Sequence, residues 1–156
     1  MRLHICAVGR MRAGPERDLF DDYIQRADRT GRALGLGPAT LHEVEDKKGG
    51  GPAAEAALLE RALPQGAVRV ALDERGKLLT SPRFARQIAD WRDAGRGDLA
   101  FVIGGADGID PVLRDTMDFS LSFGAMVWPH MLARVMLAEQ IYRATTILAG
   151  GPYHRT

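Results

Sequence analysis

The sequence has a single cysteine, Cys6, in 156 residues. A lone thiol cannot close a disulfide within the chain, so a disulfide framework is excluded and a reducing compartment is expected. Cys6 lies inside the apolar run LHICAV, where it reads as a small buried hydrophobe rather than a reactive thiol. Net charge is also scarce, at +1, so composition alone does not announce a nucleic-acid binder, and any basic surface must be local or made by assembly. No stretch approaches the roughly 18 apolar residues that a membrane-spanning helix needs. The opening MRLHICAVGR is too short an apolar run for a secretory segment and runs straight into charge. A soluble, cytoplasmic protein is expected. Internal repeats and a domain linker are lacking too.

What is present is ordinary for a globular protein: 46% hydrophobic and 26% charged residues. The length suits one domain, residues 1–156. Short apolar runs, LHICAV (3–8), ATLHEV (39–44), VRVAL (68–72), LAFVIG (99–104) and LSFGAMVW (121–128), read as strands. Between them PERDLFDDYIQRAD, PAAEAALLERAL and SPRFARQIADWRDAG have helical period. Ser81 and Asp110, each followed by proline, read as helix caps. The alternation predicts an α/β fold with a parallel sheet flanked by helices.

Ligands in such sheets bind beyond the C-terminal ends of the strands, so the strand-end loops are read first. GRMRAG, residues 9–14, has P-loop glycine spacing but continues with Pro15 and Glu16, so the lysine and hydroxyl that would reach phosphate and magnesium are missing. No G-x-G-x-x-G fingerprint and no Gly-x-Ser-x-Gly elbow occur. HEVED, residues 42–46, mixes a histidine with acids, but alternation turns His42, Val44 and Asp46 one way and Glu43 and Glu45 the other. It reads as a polar strand edge, and no metal site is expected. DKKGGGP, residues 46–52, is either a solvated loop or a phosphate-touching lid. LDERGK (72–77), IGGADG (103–108) and SFGAMVWPH (122–130) are either tight turns or places where a ligand nears the backbone.

The last helix, about residues 131–147, carries Leu132, Val135, Met136, Leu137, Ala138, Ile141 and Tyr142, an apolar surface too broad for one core stripe. It is either buried all round or packed on a partner subunit. Glu139 and Arg143 stand four apart and can pair, leaving Arg143 as a salt-bridge residue or a phosphate ligand. The chain then closes with GGPYHRT.

Together the opening LHICAVG, LDERGK, IGGADG, PHMLARVMLAEQIYRA and the terminal PYHR, in order and along the whole chain, resemble the SPOUT-class methyltransferases of the RlmH type, which methylate N3 of a pseudouridine in bacterial 23S ribosomal RNA. The resemblance implies an α/β-knot fold with a C-terminal deep trefoil knot. It also implies S-adenosyl-L-methionine as cofactor, a homodimer, and 23S rRNA in the large subunit or assembled ribosome as partner.

Carried over by motif, the cofactor residues are Leu72, Gly104 and the run Phe123, Gly124, Ala125, Met126, Val127 and Trp128. The family often has threonine where this chain has Val127, which removes a hydroxyl contact but leaves the backbone ones. On the substrate side, His154 is expected to handle the imide proton, since histidine titrates near neutrality. Tyr153 stacks on or orients the uracil, Arg155 holds a phosphate or ring oxygens, and Arg143 helps position the substrate. Near-neutral charge suggests a composite site at the dimer interface, with Arg155 of one subunit beside Lys47, Lys48, Arg10 or Arg12 of the other. The rival reading is a non-catalytic RNA- or ribosome-binding protein that kept the fold.

Overall fold

The computed structural model describes residues 1–155, and its five strands form one sheet in the order β2-β1-β4-β3-β5. They are β1 (Arg2–Val8), β2 (Ala39–Val44), β3 (Val68–Leu78), β4 (Asp98–Ile103) and β5 (Phe119–Ser122). Every pairing between neighbours is parallel. The helices are α1 (Pro15–Gly31), α2 (Gly51–Ala62), α3 (Ser81–Asp93), the one-turn α4 (Pro111–Arg114) and α5 (His130–Leu148).

Both faces of the sheet are covered. Leu3, Ile5 and Ala7 alternate onto the face that buries Phe20 of α1, Phe84 and Ile88 of α3, and Leu137 and Ile141 of α5. Cys6 and Val8 point the other way, against Leu59 of α2 and Leu113 of α4. Cys6 is fully buried, and burial pushes its thiol up to about 12, so it packs as a hydrophobe and does not ionise near neutrality. Helix α5 packs against α1 and α3, which explains most of its broad apolar surface: Val135, Leu137, Ala138 and Ile141 are buried. Leu132 remains 40% exposed at its start.

Two strands differ from the sequence reading. β3 does not end at Leu72 but continues to Leu78, and the register on β5 jumps so that Leu121 faces first Leu72 and then Lys77. Residues 73–76 therefore swing out of the ladder and return to it. Gly76 makes this possible, because a Cβ there would lie 2.6 Å from the Ser120 carbonyl carbon. β5 is shorter than the apolar run 121–128, because Ser122 turns the chain: its hydroxyl donates to the Glu74 carbonyl at 3.1 Å and accepts from Gly124 N–H at 3.1 Å. Met126, Val127 and Trp128 thus lie on a loop.

Asp110 caps α4, its carboxylate accepting from Val112 N–H at 3.1 Å. The cap of α3 is Thr80 rather than Ser81, since Thr80 holds the extended backbone a cap needs and its hydroxyl accepts from Arg83 N–H at 3.4 Å. Ser81 is instead the first helical residue, and its hydroxyl reaches across to Gln140 Oε1 at 2.8 Å.

Candidate active site

Because all strands run in parallel, the loops after β1, β2, β4 and β5 and the bulge in β3 emerge at one rim. Three of them enclose a cleft of about 420 Å³. Its walls are Leu72 to Arg75 from the β3 bulge, Ile103 to Ile109 from the loop after β4, and Phe123, Gly124, Met126, Val127 and Trp128 from the loop after β5. His130 and Ala133 of α5 close the remaining side. Of the residues expected there from sequence, Leu72, Gly104, Phe123, Gly124, Met126, Val127 and Trp128 line the cleft, while Ala125 sits on the same loop without lining it.

The cleft is chemically two-sided. Met126, Val127, Trp128, Leu72 and Ile109 offer an apolar wall, and the backbone of Gly104 and Gly105 presents a surface without side chains. Opposite lie acids the sequence reading missed. Asp73 is nearly buried, and its carboxyl is held below the usual range by the hydrogen-bonded Arg75 guanidinium, at 3.0 and 3.1 Å. Glu74 lines the cleft beside it. The signal was in the sequence, in the DER of LDERGK, but the reading of that segment as a turn or a backbone approach assigned those side chains no role. A flat apolar wall, exposed backbone and carboxylates suit a ligand that joins a purine to a cationic chain, and the volume is in the usual range for small-molecule sites.

Of the four residues expected on the substrate side, Arg143, Tyr153 and His154 meet elsewhere, and Arg155 does not join them. Arg143 and Tyr153 converge on one oxygen of Glu139: Nη2 and Nε of Arg143 donate to Oε1 at 2.7 and 3.0 Å, and the Tyr153 hydroxyl donates to it at 3.0 Å. The other Glu139 oxygen accepts from Gln140 Nε2 at 2.8 Å, and Gln140 is in turn held by Ser81. The Arg143 guanidinium lies over the Tyr153 ring, 4.8 Å from its centroid, and Tyr142 packs on the ring's other side at 4.6 Å. Glu139 is therefore the hub of this cluster, a role sequence spacing showed only as a partner for Arg143.

Arg143 Nη1 lies 3.2 Å from His154 Nδ1. A guanidinium only donates, so Nδ1 is the acceptor, and the neutral ring carries its proton on Nε2. Burial, with help from Glu139, pushes the Tyr153 phenol well above its usual range, so it stays protonated and acts as a donor. Glu139 likewise holds the Arg143 guanidinium in its charged form. Arg155 is exposed beyond the cluster, and Thr156 lies outside the described residues.

None of Arg143, Tyr153, His154 and Arg155 lines the cleft of its own chain. Glu139 and Gln140 instead border a second, apolar groove of about 510 Å³ with Leu19, Tyr23, Leu78 and Met136. The two hollows share the wall formed by Leu121, Phe123 and Gly124. Leu78, Leu19, Met126, Val127 and Leu132 are exposed around them.

Among the described residues no group of three or more histidine, cysteine or acidic side chains is placed to hold a metal, and no helix is long and apolar enough to cross a membrane. In HEVED, His42 Nε2 meets His4 Nδ1 at 3.0 Å and Glu43 pairs with Arg134, so the strand edge is internally satisfied.

A family model described as "Predicted SPOUT methyltransferase" matches residues 1–154. Three similar proteins, from Ruegeria pomeroyi (72% identical), Dinoroseobacter shibae (70%) and Paracoccus denitrificans (70%), carry the name "Ribosomal RNA large subunit methyltransferase H". Each match spans 155 residues, 99% of this chain and 99% of the relative. Among solved structures, a probable methylase family protein from Haemophilus influenzae Rd KW20 superposes with a TM-score of 0.55 at 14% identity, over 99% of this chain and 70% of that one. At that identity the likeness speaks for the fold alone.

Proposed function

The chain belongs to the SPOUT methyltransferase family, and from that premise we propose that it moves a methyl group from S-adenosylmethionine to N3 of a pseudouridine in the 23S rRNA of the large ribosomal subunit. The observation that carries the reading is the cleft itself: the loops expected to hold the cofactor come together at one rim and leave a hollow of suitable size. The names of the relatives supply the class of RNA. The deep knot belongs to the same reading, since it goes with the family. So does a cytoplasmic place of work, in keeping with a chain whose one cysteine, Cys6, is buried and outside any disulfide.

In this proposal Met126, Val127 and Trp128 flank the purine, the Gly104 backbone lets the nucleoside approach, and Asp73 and Glu74 face the cationic end. When bound, S-adenosylmethionine supplies an electrophilic methyl on a sulfonium centre. The chain's task is then to place the uracil ring and take the imide proton from N3. Glu139 holds Arg143 in its charged form, and burial keeps the proton on Tyr153. That leaves the imidazole of His154, the one side-chain type of the four that titrates near neutrality. Nδ1 must release Arg143 to accept the proton. The same exchange turns Arg143 Nη1 toward the ring oxygens, where the negative charge collects.

The separation of the tail from its own cleft supports a homodimer in which each tail serves the other subunit. The groove beside Glu139 and the exposed Leu78, Leu19 and Leu132 offer the apolar surface for that contact. The test uses purified protein, S-adenosylmethionine with an isotopically labelled methyl, and large subunits or whole ribosomes from cells lacking the protein. Mass spectrometry is expected to place the label on N3 of one pseudouridine; label on another base would refute the substrate, and no label at all the activity.

A further inference from the structure

We propose that the loops after β1 and β2 form a phosphate-binding rim that seats the RNA beside the methyl-donor cleft, and that the buried Arg134 is the residue that positions this rim. The inference rests on the functional reading above and adds where the nucleic acid lies. It starts from adjacency. β1 is the direct neighbour of β4, with Ala7 opposite Ile103, so the loop beginning at Gly9 leaves the sheet next to the glycine loop that lines the cleft. β2 flanks β1 on its other side, and Gly9 N–H donates to the Val44 carbonyl at 2.8 Å.

Charge follows the same line. Residues 9–14 contain Arg10 and Arg12 and no acid; residues 45–50 contain Lys47 and Lys48 with Glu45 and Asp46. All four cations are exposed. Asp46 is turned inward and accepts from Lys48 N–H at 3.2 Å and from Gly50 N–H. Glu45 faces only Arg10, at 3.5 Å, in an exposed pair of the kind that contributes little. Among the described residues no carboxylate pairs with Arg12, Lys47 or Lys48. A chain of net charge +1 therefore carries local, unneutralised positive charge at the rim where its cleft opens.

Arg134 explains how a loop of arginines and glycines keeps its place. Its side chain is wholly buried, and it bonds two separate pieces of chain at the rim, β2 and the end of β1. Nη1 donates to Glu43 Oε2 at 2.9 Å, and Nη2 donates to the carbonyls of Val8 and Gly9 at 2.6 and 2.8 Å. Glu43 accepts from Met11 N–H as well, and Arg17 donates to the Met11 carbonyl at 3.1 Å. Arg134 follows Ala133 and lies one turn after His130, both in the cleft wall. The guanidinium thus ties the cleft's helix to the rim. Its Nε has no protein partner among the described residues.

The test is binding of purified large ribosomal subunits, measured against salt concentration, alongside calorimetry with S-adenosylmethionine. Neutralising the surface cations, Arg12→Gln with Lys47→Gln and Lys48→Gln, should weaken subunit binding at least tenfold and flatten the log–log salt slope by about two to three, given roughly 0.7 to 0.9 per phosphate contact. Affinity for the methyl donor should stay at the wild-type value. An unchanged salt slope would overturn the rim, and so would loss of donor binding in step with subunit binding. Glu43→Gln, which leaves Arg134 without a charged partner, should weaken subunit binding while leaving donor affinity intact; subunit binding equal to wild type would remove Arg134 from the account. A wild-type protein that binds subunits with the expected slope but transfers no methyl would instead refute the functional reading and leave the rim standing.

Discussion

Glu139 organises the substrate side through one carboxylate oxygen that holds both Arg143 and Tyr153, and His154 completes the set through Arg143. Each of these groups limits the others: the phenol is kept protonated and the guanidinium charged, which is why the proposed reaction assigns proton acceptance to the imidazole. His154→Ala is therefore expected to retain donor binding, read by calorimetry, and to lose most methyl transfer to ribosomes. Activity at saturating substrate within about threefold of wild type, roughly 0.6 kcal/mol of barrier, would remove His154 from the proton path. The residue types in PYHR were legible as stacking, proton transfer and anion binding. Their arrangement was not, because it depends on the tail folding back onto Glu139 of α5 and on α3 packing against α5 to bring Ser81 to Gln140.

At the scale of elements, the cleft depends on a turn that tolerates no side chain. A Cβ on Gly104 would lie 2.5 Å from the carbonyl carbon and oxygen of Gly108 and 2.8 Å from Ile109 N, all of them backbone atoms that cannot rotate away. Gly104→Ala should therefore cost about 1–3 kcal/mol of stability, as overpacking does, and should weaken donor binding at least tenfold in calorimetry. Unchanged affinity would mean that the loop after β4 can shift without deforming the cleft.

The same elements show why sequence reading succeeded in part. β1 and β4 are largely apolar runs buried in the middle of a parallel sheet, and such runs announce themselves, while β2, the half-buried edge strand ATLHEV, was legible from its alternation. β3 and β5 were misjudged at their ends because neither composition nor period marks where a strand leaves the ladder and returns. That is decided by the contact of Gly76 with the β5 backbone and by the Ser122 hydroxyl. Asp73, Glu74 and Arg75 were passed over for the same reason: a strand ending at Leu72 hides that the bulge sets all three on the cleft wall and turns the Asp73 carboxylate inward.

At the scale of the whole molecule, one chain holds a cleft and a tail cluster that do not meet. The donor cleft is lined without any residue of the tail, and the tail cluster borders a different, apolar groove. A near-neutral chain that acts on RNA is also easier to understand if its positive charge is concentrated on the rim loops and the tail rather than spread over the surface. Both features lead to the central claim, that a working site needs the cleft of one subunit and the tail of another. The most direct test mixes two inactive variants, Gly104→Ala in the cleft and a chain truncated before Tyr153 in the tail, so that mixed dimers contain one intact cleft facing one intact tail. The account predicts no methyl transfer from either variant alone and recovery in the mixture, toward half of the activity of the wild-type fraction it replaces, since only one composite site per mixed dimer is whole. Failure of verified mixed dimers to recover any activity, with the intact cleft still binding S-adenosylmethionine, would contradict it and assign cleft and tail to the same subunit.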